Sequence, residues 1–103
     1  MKDYFIDFFD NYIKLSPNRW KHIVKQHPEV KSHKNRIHEV LRNPDFVKRS
    51  KRDKDTFLYY RYYDSVYKGK YLLVVARTKN EPIVLTFYIT DKIKKGDMIW
   101  EKN

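Results

Sequence analysis

Cysteine is absent from this sequence, so neither disulfides nor thiolate chemistry is open to it. That absence fits a reducing compartment, and a cytoplasmic location is expected. Only two glycines occur, Gly69 and Gly96, too few and too far apart for a phosphate-cradling loop. No G-x-S-x-G elbow is present, so acyl transfer has no signal. No apolar run approaches the roughly 18 residues of a membrane span, so no membrane partner is expected. The opening Met1-Lys2-Asp3-Tyr4-Phe5-Ile6-Asp7 carries acids where a signal peptide needs an unbroken apolar stretch. His22/His27 and His33/His38 are spaced i, i+5, which does not put two imidazoles on one helical face. No metal or other cofactor is expected.

Acidic residues are also short, 13 against 23 Lys and Arg, and the net charge is +10. Residues 1–15 sum to −1, residues 16–55 to +7 and residues 56–103 to +4. A small basic domain attracts polyanions, of which nucleic acid is the commonest. The chain is nonetheless 41% hydrophobic and 17% aromatic, enough for a folded core. Its 103 residues suit one domain.

What is present is organised around Arg19-Trp20-Lys21-His22-Ile23-Val24-Lys25-Gln26-His27-Pro28-Glu29. Ser16 can cap a helix and Pro17 suits its first position. Pro28 discourages helix at His27, so the spacing predicts a helix over about 17–27. Trp20, Ile23, Val24 and His27 form one stripe, and Arg19, His22 and Gln26 another. Before it, Phe5–Phe9 and Tyr12–Leu15 read as short strands joined at Asp10-Asn11. After it, a second helix is expected over about 32–42, capped by Ser32 and stopped at Asn43-Pro44.

From Phe46 the period becomes two. Phe46–Ser50, Thr56–Tyr63, Lys70–Arg77 and Pro82–Ile89 read as strands, with Met98-Ile99-Trp100 as a short last one. Residues 51–55 form a charged turn, 64–69 and 78–81 hairpin loops, and 90–96 a basic loop. Helices followed by hairpin-linked strands predict α+β, with an N-terminal hairpin and two helices packed on a four-stranded antiparallel sheet. Alternation puts Ile83, Leu85, Phe87 and Ile89 toward the helices. It gathers Arg61, Arg77, Thr86 and Tyr88 on the opposite face if the registers allow.

The chemistry left open is metal-independent cleavage of RNA, in which the substrate's own 2′-OH attacks phosphorus. Such a site needs a base, an acid and groups that stabilise charge on phosphorus. Histidine, arginine, threonine and tyrosine supply these. His22, off the apolar stripe, can equally be a surface residue. His27, on the stripe, can equally be a packed one, although a helix C-terminus favours positive charge beside a phosphate. Arg61 is the one basic residue within Thr56–Tyr63. Arg19, Lys48, Arg49, Lys51, Arg52 and Arg77 are candidates for phosphate contact, and Tyr59 and Tyr88 for base stacking. His33 and His38 belong to no such group.

The run Leu15-Ser16, Arg19-Trp20-Lys21-His22-Ile23, His27-Pro28-Glu29, Leu41-Arg42-Asn43-Pro44-Asp45-Phe46-Val47, Tyr59-Tyr60-Arg61-Tyr62, Leu73-Val74-Val75 and Ile83–Tyr88 resembles the phage-borne branch of the barnase–EndoU–colicin–RelE-like nucleases. The resemblance spans residues 5–100. It implies two helices followed by a four-stranded antiparallel sheet, and a metal-independent endoribonuclease, toxin- or phage-associated, acting on tRNA or mRNA. It also implies an acidic antitoxin or immunity partner. Carried over residue by residue, it implies a site of His22 or His27, Arg61 and Thr86. A non-catalytic module binding nucleic acid or protein on the same fold is the alternative.

The basic 16–55 region should dominate affinity for RNA. Neutralising Lys48, Arg49, Lys51 and Arg52 together is expected to weaken binding and to flatten its log–log salt dependence, by up to about 0.7 per lost single-strand phosphate contact. Affinities measured across a salt series check this; an unchanged slope places the phosphate path elsewhere.

Overall fold

The computed structural model describes residues 4–66 and 69–103. Part of the loop expected over 64–69, and residues 1–3 of the acidic opening, lie outside the described residues. The elements are β1 (Tyr4–Ile6), β2 (Tyr12–Lys14), α1 (Pro17–Gln26), a 3₁₀ segment (Pro28–Arg36), α2 (Ile37–Arg42), β3 (Phe46–Ser50), β4 (Thr56–Tyr63), β5 (Lys70–Arg77), β6 (Ile83–Thr90) and β7 (Gly96–Glu101).

All seven strands join one sheet in the order β1-β2-β6-β5-β4-β3-β7. The α+β class therefore holds, but the four-stranded antiparallel sheet does not. The sheet is mixed, because β2 runs parallel to β6 through Lys14 and Ile83. The N-terminal hairpin extends one edge and β7 the other. Sequence patterning missed this because short strands carry too few residues to show which larger sheet they join.

The helical half is also rearranged. Ser16 caps α1 as expected, its Oγ accepting from the Arg19 N–H at 3.1 Å, and Pro17 occupies the first turn. His27 ends α1, and its N–H donates to the Ile23 carbonyl at 2.7 Å. The expected second helix over 32–42 is instead nine residues of 3₁₀ followed by six of α-helix. Val30 alone is buried in the 3₁₀ segment, and Lys31, His33, Lys34 and Arg36 surround it. That stretch has no apolar stripe to hold a 3.6-residue period, so the tighter turn persists.

Ile23, Val30, Ile37, Val40 and Leu41 pack from this side onto Tyr59, Leu72, Val74, Ala76, Val84 and Phe87. Each fully buried aliphatic contributes about 1.5–3 kcal/mol relative to exposure. The second face carries a smaller cluster of Phe46, Leu58, Tyr60 and Leu73. A bulge in β6 sets this division. Val75 pairs with Thr86, but Ala76 pairs with Val84, so Leu85 is the extra residue. Val84 and Phe87 thus both enter the helix-side core, and the expected set of Ile83, Leu85, Phe87 and Ile89 is broken.

The hairpin turn is five residues, 7–11, because Ile6 pairs with Tyr12. Asp7 fills it. Its carboxylate accepts from the Phe9 N–H at 3.0 Å, the Asn11 N–H at 2.7 Å and Asn11 Nδ2 at 3.1 Å. It also accepts from the Tyr59 hydroxyl, although Asp7 is completely buried. Asp10 follows in a left-handed conformation, at φ 66°, which Asp tolerates.

Asp7→Ala would leave several buried donors without an acceptor. It is expected to cost about 3 kcal/mol in urea denaturation, and Tyr59→Phe about 1 kcal/mol. A change under about 0.5 kcal/mol for Asp7→Ala would show that the carboxylate does not hold the turn.

Candidate nucleic-acid interface

Strand β6 ends at Thr90, level with Tyr71, whereas β7 begins at Gly96, beside Ser50 at the opposite end of the sheet. Residues 91–95 must therefore cross the second face diagonally, over the Phe46/Leu58/Tyr60/Leu73 cluster. The Lys94 N–H donates to the Tyr60 hydroxyl at 2.9 Å, and Lys48 Nζ donates to the Lys94 carbonyl at 2.6 Å. Lys70 Nζ binds Asp91 Oδ2 at 2.9 Å at the start of the crossing. Gly96 closes it: a Cβ there would sit 2.2 Å from the Arg49 carbonyl, so a side chain would prevent β7 from docking. The crossing strap leaves Lys92, Lys94 and Lys95 exposed.

His27 reaches this face around an open edge. Beyond Ile83, the outer side of β6 has no strand partner among the described residues, since β2 meets it only there. The end of α1 packs against that edge. The His27 ring stacks on Tyr88, with centroids 4.8 Å apart and planes 19° apart. Glu29 Oε2 lies 3.6 Å from His27 Nδ1. The Lys94 ammonium lies 5.9 Å from the Tyr88 centroid. Lys48, Lys94, Tyr88 and His27 thus form one continuous series of contacts. Thr86 and Arg77 share the face by register, through Val75 and its strand neighbours.

A cleft of about 500 Å³, lined by Glu29, Lys70, Ile89, Thr90, Asp91 and Lys92, adjoins the start of the strap. Burial raises the Tyr60 hydroxyl above the usual phenol range, against a smaller lowering by the Lys94 N–H. It therefore remains a neutral phenol, accepting from the Lys94 N–H. The lysine beside Asp91 holds its carboxyl below the ordinary range.

The other expected site residues scatter. Arg61 pairs with Leu72 and faces the helices, so it does not share a face with Thr86. Its Nη1 donates to the Asn43 carbonyl, and its Nε lies 3.5 Å from Glu39 Oε1. Tyr63 donates to the same glutamate, and Arg36 lies over the Tyr63 ring at 4.5 Å. Burial first, then Glu39, drives the Tyr63 phenol far up. Arg61 is thus a clasp between α2 and β4. The expectation of one face for Arg61, Arg77, Thr86 and Tyr88 failed in β4, whose alternating set including Tyr59 and Arg61 points to the core.

Tyr59 is fully buried and bound to Asp7, so its ring offers no face to a base. His22 is exposed on α1 and lines a shallow groove of about 320 Å³ with Ser16, Asn18 and Arg19, on the helix and away from Tyr88. Lys51 and Arg52 lie in the exposed turn after β3. Arg49 pairs with Phe57 and lies on the helix-bearing side, opposite Lys48. His33 is lowered by burial and then by Arg36, and His38 stacks against Phe5 at 6.3 Å.

Lys94 and Glu29 were not singled out from the sequence. The Lys92/Lys94/Lys95 run and the His27-Pro28-Glu29 spacing were visible signals, but neither shows that a loop crosses the sheet. Among the described residues, no three His, Asp or Glu side chains converge as a metal site, and no helix is long and apolar enough to cross a membrane. No family model, curated protein or solved structure matches the chain. The nuclease resemblance therefore rests on the motif run alone.

Arg61→Ala is expected to destabilise the fold by about 1 kcal/mol, because Glu39 and the Asn43 carbonyl lose a partner in a partly solvated place. In a domain of this size that lowers the melting temperature by roughly 4–8 °C. RNA affinity should not change. Lost affinity with an unchanged melting temperature would restore Arg61 to the interface.

Proposed function

We propose that this chain binds RNA across the second sheet face and cleaves it without a metal, with His27 as the proton-transfer group. The observation that carries the reading is the His27–Tyr88 stack beside the Lys94 ammonium. It unites an ionisable group, an aromatic platform and a cation on a basic, partly open surface. In such a reaction the 2′-oxygen forms a bond to phosphorus, and the bond from phosphorus to the 5′-oxygen breaks. A base takes the 2′-OH proton, and an acid protonates the departing 5′-oxygen. His27 and Glu29, 3.6 Å apart, are the two groups we assign to these transfers. Lys94 and Lys48 supply positive charge near the phosphate. Tyr88 holds the His27 ring by stacking and so fixes the imidazole beside the Lys94 ammonium.

The second reading is a non-catalytic RNA-binding module, and the separation of Arg61 from Thr86 favours it. The same basic face would dock an acidic protein inhibitor. The test is cleavage of a pooled RNA substrate in EDTA, with DNA of the same sequence beside it. The parent should cut RNA alone. His27→Ala should reduce the rate by about 10²–10⁴, and Lys94→Gln should also slow it. His22→Ala should cut at the parental rate. Melting temperatures accompany each variant, because His27→Ala also loses its contact with Tyr88. A parent that shifts both RNA and DNA in a gel and cuts neither establishes the binding module. A parent that cuts RNA equally well without His27 removes that histidine from the mechanism.

A further inference from the structure

A second concavity lies on the other side of the sheet, between the 7–11 turn and the β3–β4 pair. It measures about 290 Å³, with walls from Phe9, Phe57 and Ile99, Asn11 at one side, and Arg49 and Lys79 as its cations. Phe9 and Phe57 meet edge to face, centroids 5.5 Å apart at 75°. They form an apolar corner against which a flat ring can lie. The Asp7 network fixes one wall, because it holds the Phe9 N–H and the Asn11 amide.

Arg49 supplies the other half of the argument. Three arginines, Arg49, Arg61 and Arg77, have a buried Nε without a hydrogen-bond partner. The guanidinium of Arg61 is committed to Asn43 and Glu39, and that of Arg77 to the Glu81 carbonyl at 3.4 Å. Arg49 has no comparable commitment among the described residues. Arg49 as a whole is half-buried and lines the cleft, so a guanidinium that no described acceptor engages stands where an incoming anion can meet it. Lys79 stands at the rim, its side chain 74% exposed and 4.0 Å from Asp55, free to swing inward.

We infer that this cleft binds a single nucleotide, its base against Phe57 and Phe9 and its phosphate on Arg49, with Lys79 assisting. Its volume of about 290 Å³ is at the low end of small-molecule sites, which suits one nucleotide. The planar fork of arginine matches phosphate, and the aromatic corner matches a base. The nucleotide can come from two sources, a free mononucleotide or one residue of an RNA strand. The site faces away from His27, so it does not depend on the cleavage reading.

The experiment is calorimetric titration of the full chain with adenosine 5′-monophosphate, with adenosine, and with a six-nucleotide oligoadenylate. The parent should bind the monophosphate. Arg49→Gln should weaken that binding at least tenfold and leave adenosine unaffected. Phe57→Leu should weaken both. Arg49→Lys keeps the charge but not the buried Nε donor and should give a partial loss, which separates recognition from misfolding. Lys25→Gln, an equal charge change on exposed α1, should bind like the parent. Dependence on Arg49 and Phe57 for the monophosphate assigns a free nucleotide; the same dependence for the oligonucleotide alone assigns a strand residue. If neither ligand depends on Arg49, or if Lys25→Gln weakens binding as much as Arg49→Gln, the cleft is not a nucleotide site.

Discussion

The buried carboxylate of Asp7 is the interaction on which much of this structure depends. A charge with no exposure must be satisfied by donors, and Asp7 collects two backbone N–H groups, one side-chain amide and one phenol. These bonds join the N-terminal turn to β4 in the middle of the sheet. The turn then places Phe8 against Trp100 of β7 at 4.2 Å, and Phe9 against Phe57 of β4. The Phe8 N–H meets the Leu41 carbonyl, and Arg42 reaches back to the Asp7 carbonyl and Asp10. The carboxylate therefore fixes the turn on β4, the backbone of that turn and Phe8 then reach α2 and β7, and Tyr59 answers with a phenol that burial keeps protonated.

The second constraint is the return from β6 to β7. Because those strands flank the sheet's centre from opposite sides, the connection cannot be a tight turn. It must lie on a face, and it covers hydrophobic surface that no helix reaches. A loop in that position has few apolar side chains of its own. It is held by hydrogen bonds through Lys94 to Tyr60 and Lys48. The lysines left outward make the second face basic where the helix-bearing face is packed.

Local signals identified much of the chain. Ser16-Pro17 started α1, Pro28 stopped it, and in the stripe of Trp20, Ile23, Val24 and His27 only Ile23 is fully buried, with the other three half-buried. Strands β3, β4 and β5 run within the spans that period-two alternation marked. Caps, proline constraints and alternating apolar residues act between near neighbours, so they are written in consecutive positions. The candidate site was only partly legible. His27, Tyr88 and Lys48 were named from type and position, and they prove to be connected. Arg61 and Tyr59 were named by the same logic and point the other way, because alternation separates two faces without saying which one meets the core.

Composition and spacing alone established a basic, cysteine-free α+β chain with these helix ends and strand spans. They did not establish the seven-stranded order, the bulge at Leu85, the 3₁₀ segment or the crossing of residues 91–95. Each of those depends on contacts between residues far apart in the chain: Asp7 with Tyr59, Lys94 with Tyr60, Lys14 with Ile83. A one-residue bulge reverses every side chain beyond it, and no local propensity announces it. Packing in three dimensions chose which face each cation occupies, since burial of the larger apolar set outweighs the preference of any single polar residue.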